Sequence, residues 1–389
     1  MSIVCCLPLR RPIVVRYAKS SSARRSNISD NNDGDWRRIP RRGTLPAVSV
    51  RTPLCDLLGI DTPILNVGFA ASAVPELAAA VSNAGGLGVL GLGFPIEEIK
   101  RRVERTRELT KRPFGGNLII AAFASPHWGD DVRELRRKQI AAVLAERVPV
   151  LVLFWGDPSP FIEPAHRAGT KVLIQVGSVD EAAAAASAGV DAVIMQGSEA
   201  GGHVKATRSL WETLSAAVEA TKPVPVIASG GIGDGRGIAR ALGMGAQGVS
   251  LGTRFVASEE AWVHDYYKRR VVAASAADTF YSPDLYDVGW KDAPHRTIKN
   301  KTYARWDAAG RPPSGERPGE GEIIGRQRLP WGDVDWQRYA VGMPVPTFDG
   351  DPEDAPMWAG LSIDRVNEVR PAGDIVRDLV RETEEALAD

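Results

Sequence analysis

From residue 63 onward the chain alternates short apolar runs with longer amphipathic or alanine-rich segments. The apolar runs fall at 64–67, 87–90, 116–119, 150–153, 172–175, 192–195, 224–227 and 248–251, and each has the length of a strand. Helical signals fill the segments at 76–84, 96–109, 132–147, 180–188, 210–220 and 236–242. Strand followed by helix, repeated every 20 to 35 residues, predicts parallel βαβ units. Eight such strands predict an α/β fold of the closed (β/α)8 TIM-barrel type, because closure leaves no parallel edge and needs about 250 residues. A doubly wound open sheet is the alternative, and the positions of the glycines favour the barrel.

The rhythm breaks over residues 280–358, which are rich in Pro, Gly, Trp and charge around the run from Arg311 to Gly321. An irregular C-terminal excursion lying over the barrel is expected there. Trp290, Trp306, Trp331, Trp336 and Trp358 give it aromatic area to pack on the barrel, to line a substrate entrance or to form a subunit interface. Helical periodicity returns over 372–387, where Ile375, Leu379, Val380 and Leu387 mark the apolar face of a closing helix. Residues 1–48 read as a disordered N-terminal arm, with arginines at positions such as 10, 11, 24 and 25 among serines and no acid in the first 28 residues. Such a segment suits an organellar transit peptide, or an upstream extension from a misassigned start. The expected organisation is therefore an arm over 1–48, a barrel over 49–279 and an extension over 280–389 packed on the barrel.

Charge narrows the partners. Lys plus Arg and Asp plus Glu both total 48, so no net field draws in nucleic acid or an anionic membrane. No apolar run approaches the ~18 residues of a membrane span. Cys5, Cys6 and Cys55 form neither a disulfide framework nor a metal-binding pattern, which suits a reducing, cytoplasmic setting. Zinc, nucleophile-elbow and Walker motifs are missing from the sequence, so hydrolase and nucleotidase chemistry is disfavoured.

The candidate chemistry gathers at the ends of the strands. After the sixth apolar run comes Gln196-Gly197-Ser198-Glu199-Ala200-Gly201-Gly202-His203, a loop whose small residues allow close approach to a ligand and which ends in a side chain that titrates near neutrality. His203 is therefore a candidate general base. The remaining histidines, His127, His166, His264 and His295, lack such settings and read as surface or structural. After the seventh and eighth runs come Ser229-Gly230-Gly231 and Ser250-Leu251-Gly252-Thr253, where barrels of this class commonly hold phosphate. Asn117, Gln175 and Gln196 lie at strand ends and offer paired donors and acceptors to a heterocycle edge.

Several ordered motifs resemble the FMN-dependent nitronate monooxygenases, once called 2-nitropropane dioxygenases. They are Pro63-Ile64-Leu65, Ala84-Gly85-Gly86-Leu87-Gly88, Gly116-Asn117-Leu118, the Gln196-to-His203 loop, Ser229-Gly230-Gly231-Ile232 and Gly252-Thr253-Arg254-Phe255. The resemblance runs from about residue 52 to the C-terminus and implies FMN at the barrel mouth. By that resemblance Asn117, Gln196, Gly201, Gly231, Ser250, Leu251, Gly252 and Thr253 would hold FMN and His203 would be catalytic; Asn66, Val67, Gly68, Gln175, Gly202, Ser229 and Gly230 complete the expected cofactor set. It implies oxidation of a small-molecule alkyl nitronate by O2 to a carbonyl compound and nitrite. His203 is needed only when a neutral nitroalkane must first be deprotonated. Two departures bear on substrate choice: the first loop reads Asn66-Val67-Gly68-Phe69-Ala70, and Ala206 stands where relatives often carry glycine. The same loop also resembles NAD(P)H-dependent flavin enoyl and quinone reductases, and a non-catalytic FMN-binding protein is a third reading. A homo-oligomer is compatible with all three.

Overall fold

A computed structural model describes residues 49–124 and 127–389, so the expected arm at 1–48 lies outside the described residues. All eight expected strands are present, as Ile64–Asn66, Gly88–Gly91, Phe114–Ile119, Val150–Phe154, Lys171–Val176, Ala192–Gln196, Val226–Ser229 and Gly248–Leu251. They are called here the first to eighth barrel strands. From the second to the eighth, each pairs in parallel with the next, and the eighth pairs with the first. A parallel bridge between Leu65 and Leu87 completes the ring, which makes the sheet a (β/α)8 TIM barrel.

Continuous apolar strands are what this closure demands, because both faces of every strand are covered. Val150 and Val152 of the fourth strand point into the barrel with Leu173, Ile194 and Ile227, whereas Leu151 and Leu153 point outward to the helices with Ile174 and Val193. The two-residue period therefore divides one run between two cores. Leu54, Cys55 and Leu58 of the short helix Pro53–Leu58 join the inner core, and Leu54 sits against Gly248, the first residue of the eighth strand.

Strands one and two pair through that single bridge, and a side chain supplies what the backbone does not. The Asn66 amide donates from Nδ2 to the carbonyl of Val89 (2.9 Å), while its Oδ1 accepts from the Val89 N–H (2.8 Å). Asn66 thus acts as an extra rung of the ladder at the seam, fully buried. Its place in the wall corrects the expectation that it faces a cofactor.

The outer helices lie within a few residues of their expected bounds, for example Ile96–Leu109, Val179–Ala188 and Leu210–Thr221. The excursion holds more regular structure than its composition suggests. Strands Thr279–Ser282 and His295–Ile298 pair with each other, and the second of them pairs with Gly202–His203 from the loop after the sixth barrel strand. A second small sheet joins Ile323–Leu329 to Gly332–Gln337 and Phe348–Gly350. The closing helix, Ala372–Ala388, packs on the helices that follow the seventh and first strands. It stands where the eighth helix of the barrel belongs, so the excursion is inserted between the eighth strand and its helix. Among the described residues no helix is long and apolar enough to cross a membrane.

Replacing Asn66 with Ala should orphan the buried N–H and C=O of Val89 and cost about 3 kcal/mol. Urea unfolding checks this, and a loss below about 1 kcal/mol would show that the seam does not need the side chain.

Candidate active site

A cavity of about 270 Å³ opens at the C-terminal ends of the strands. Every residue named in the sequence as a candidate lines it except Asn66: Val67, Gly68, Asn117, Gln175, Gln196, Gly201, Gly202, His203, Ser229, Gly230, Gly231, Ser250, Leu251, Gly252 and Thr253. Residues far apart in the chain meet here because a closed barrel brings all strand ends to one rim.

The loop after the first strand reaches the cavity through Val67 to Ala70 and is held from behind by Arg102. This arginine, 1% exposed, pairs with Glu98 (2.8 Å), donates to the carbonyls of Ala71, Ala73 and Gly91, and lies 4.5 Å from the centre of the Phe94 ring. A buried guanidinium is tolerable only with this many acceptors. Asn117 donates from Nδ2 to the Val152 carbonyl (3.1 Å), which leaves its Oδ1 for the cavity. Gln175 makes no side-chain hydrogen bond among the described residues and is free to meet a ligand. Gln196 is differently occupied. Its Nε2 donates to the carbonyl of His203 (3.0 Å) and its Oε1 accepts from the Lys205 N–H (2.8 Å), so it fixes the histidine loop.

On the opposite side, Gly230 and Gly231 both have positive φ, 101° and 72°. A side chain at Gly231 would also meet Glu199 Cβ at 2.8 Å, so glycine is required on two counts. The N–H groups of both glycines donate to no other protein group among the described residues. Glu199 holds the neighbouring loop by accepting from Ser209 Oγ and from the Leu210 N–H at a helix start.

The excursion closes the cavity. Gly201 and Gly360 approach so closely that a Cβ on Gly201 would lie 2.4 Å from the Gly360 nitrogen. The Leu361 N–H donates to the Glu199 carbonyl (2.9 Å), and the Gly360 N–H donates to Thr253 Oγ1 (3.0 Å). Trp290, Val341, Met343 and Trp358 then complete an apolar wall with Ile119, Phe154 and Tyr267. The sequence marked Trp290 and Trp358 only as aromatic area that could line an entrance, and it marked none of the other wall residues.

His203 lies between the glycine loops and this wall. Its ring stacks on Trp290 with centroids 4.1 Å apart and lies 5.5 Å from that of Trp358. Nε2 is buried and has no hydrogen-bond partner among the described residues. Burial pushes its pKa down to about 3, with a smaller push from His295. His295 is structural, as expected: Nδ1 faces the Ala293 carbonyl (3.0 Å) and Nε2 accepts from the Tyr286 N–H (3.1 Å). A neutral imidazole with a free nitrogen can accept a proton or a hydrogen bond from a ligand.

Comparison with known proteins places the chain in a family. Residues 51–382 match the family model described as nitronate monooxygenase, and the chain belongs to that family. Members of the family are flavin oxidoreductases. A (3aS,4S,5R,7aS)-5-hydroxy-7a-methyl-1-oxo-octahydro-1H-indene-4-carboxyl-CoA dehydrogenase of Rhodococcus jostii (strain RHA1) is 35% identical over 64% of this chain and 66% of its own. A probable nitronate monooxygenase of Staphylococcus aureus (strain MSSA476) is 28% identical over 86% of this chain and 98% of its own. Among solved structures, FabK from Thermotoga maritima superposes with a TM-score of 0.70 at 32% identity, covering 87% of this chain and 98% of that one.

The histidine makes folding stability depend on pH. An unfolded chain takes up a proton on His203 as pH falls through about 6.5, whereas the folded chain does so only near 3. Stability is therefore lost across that window. The melting temperature of His203→Asn should gain on that of the wild type as pH falls from about 6.5 to about 4. A constant difference would show that the folded imidazole is already protonated there.

Proposed function

We propose that this protein is an FMN-dependent oxidoreductase that uses O2 to oxidise alkyl nitronates to carbonyl compounds and nitrite. The observation that carries the reading is the unpartnered Nε2 of His203, set in a cavity between unpartnered glycine amides and an apolar wall. Family membership and the similarity to a probable nitronate monooxygenase support it.

The residues present fit FMN. Gly230 and Gly231, with Ser250 to Thr253 beside them, would take the phosphate, because the two glycines line the cavity with unpartnered N–H groups and bring no side chain of their own. Asn117 Oδ1 and the Gln175 amide would meet polar atoms of the isoalloxazine. When bound, the flavin supplies one- and two-electron redox chemistry. The protein's own contribution is proton transfer and shielding. With a neutral nitroalkane, the His203 imidazole would accept the proton from the carbon bearing the nitro group. With a nitronate no proton remains to be removed, and the imidazole contributes only position. Trp290, Trp358 and Met343 keep water from the reacting carbon.

A second reading, an NAD(P)H-dependent flavin enoyl or quinone reductase, is favoured by the similarity to FabK over 87% of this chain. His203→Asn separates a base from a spectator. The variant should lose roughly 100-fold or more in kcat/KM on a neutral nitroalkane, the usual scale of general-base catalysis, while nitronate turnover falls far less. Equal losses on both substrates would remove His203 from proton transfer.

A further inference from the structure

We propose that Trp290, braced by Trp155, is a positioning residue that covers one face of the His203 imidazole and holds the ring in its place at the cavity wall. The inference rests on the reading of His203 as a base and says what keeps that base oriented and dry.

Trp155 directly follows the fourth barrel strand and has a φ of 65°, a left-handed conformation that a bulky aromatic residue adopts only when its surroundings impose it. Its ring meets Phe154 edge-on (5.3 Å, 82°) and Trp290 edge-on (5.2 Å, 68°). Phe154 meets Trp290 in the same manner at 6.5 Å. Two aromatic rings from the barrel rim thus contact Trp290, which stacks on His203 with 30° between the ring planes. A ring stacked in this way can offer a ligand its edge but not its covered face. Trp155 itself does not line the cavity, so its unusual backbone serves the neighbouring tryptophan rather than a ligand.

The charged and titratable groups around His203 are otherwise engaged. His295, on the paired strand, has both ring nitrogens occupied, by the Ala293 carbonyl and the Tyr286 N–H. Arg296 donates to the Ser198 carbonyl (3.1 Å), and Lys205 pairs with Glu181 (2.6 Å). Glu199 is held by Ser209 and Leu210, and Asp287 pairs with Arg317 (2.8 Å). Among the described residues no carboxylate is therefore placed to hold an imidazolium at position 203, and the tryptophan cover keeps water from doing so.

The test follows the imidazole itself. Histidine side-chain NMR of the purified full-length protein, with the His203 signal assigned by its loss in His203→Asn, would be recorded from about pH 5 to 8 for the wild type, Trp290→Ala, Trp290→Phe and Trp155→Ala. The wild-type signal should not titrate in this range. In Trp290→Ala it should titrate near the ordinary value of about 6.5, and Trp290→Phe should restore the wild-type behaviour. Nitroalkane kcat/KM of Trp290→Ala should then fall about tenfold per pH unit below that midpoint, whereas nitronate turnover shifts by one factor at every pH. Should Trp290→Ala not fold, Trp155→Ala carries the test in the same direction. A folded Trp290→Ala or Trp155→Ala whose His203 still does not titrate overturns the proposal. A signal that moves as stated, in an enzyme whose His203→Asn variant keeps its nitroalkane activity, supports the positioning role and removes the base reading instead.

Discussion

Parallel strands cannot leave an edge open without exposing a ladder of unpaired amides, and closing that edge is the constraint on which the rest of this molecule depends. The ring closes where its first and second strands share one backbone bridge, and the Asn66 amide supplies further hydrogen bonds to Val89. Closure puts eight strand ends on one rim. It also sends Val150 and Val152 inward while Leu151 and Leu153 face the helices, so the strands have to be apolar throughout. Polar side chains gather at the C-terminal ends of the strands, as at Asn117, Gln175, Gln196, Ser229 and Ser250, and in the loops beyond them.

The barrel rim alone would be an open dish. The segment inserted between the eighth strand and the closing helix turns it into a cavity, and small residues set how closely it can come down. Gly201 against Gly360 allows backbone to meet backbone beside His203, after which Trp290 and Trp358 flank the imidazole. The consequence is electrostatic. A histidine in water is divided between two charge states near neutrality, but this one is held as the free base by burial. On the proposed reading, the unpartnered glycine amides would take the phosphate, away from the dry imidazole.

Much of this was legible in the chain. The strands were readable because a doubly covered parallel strand is a short unbroken apolar run, and the site loops because they follow those runs directly. Other features depend on contacts between distant residues. The helix Ser159–Arg167 carries Pro160 and Pro164 within nine residues, which hides its periodicity. Asn66 stands in the expected cofactor set, but the sequence carries no sign of the weak pairing beside it, which its amide bonds to Val89 supplement. The excursion's two small sheets escaped notice because their strands are mixed in polarity, as in Ile323–Leu329, whose pairing surface is largely solvated. Trp290 could be flagged as aromatic area, but its stack on His203 joins residues 87 positions apart in the sequence.

A flavin held in this cavity and reduced by a nitronate is tested most directly by the anaerobic visible spectrum of the purified protein. Flavin absorbance that bleaches on adding a primary alkyl nitronate, and is unchanged by NADPH in a parallel cuvette, is the predicted result. Bleaching by NADPH alone, or a colourless protein that takes up no FMN, would contradict it.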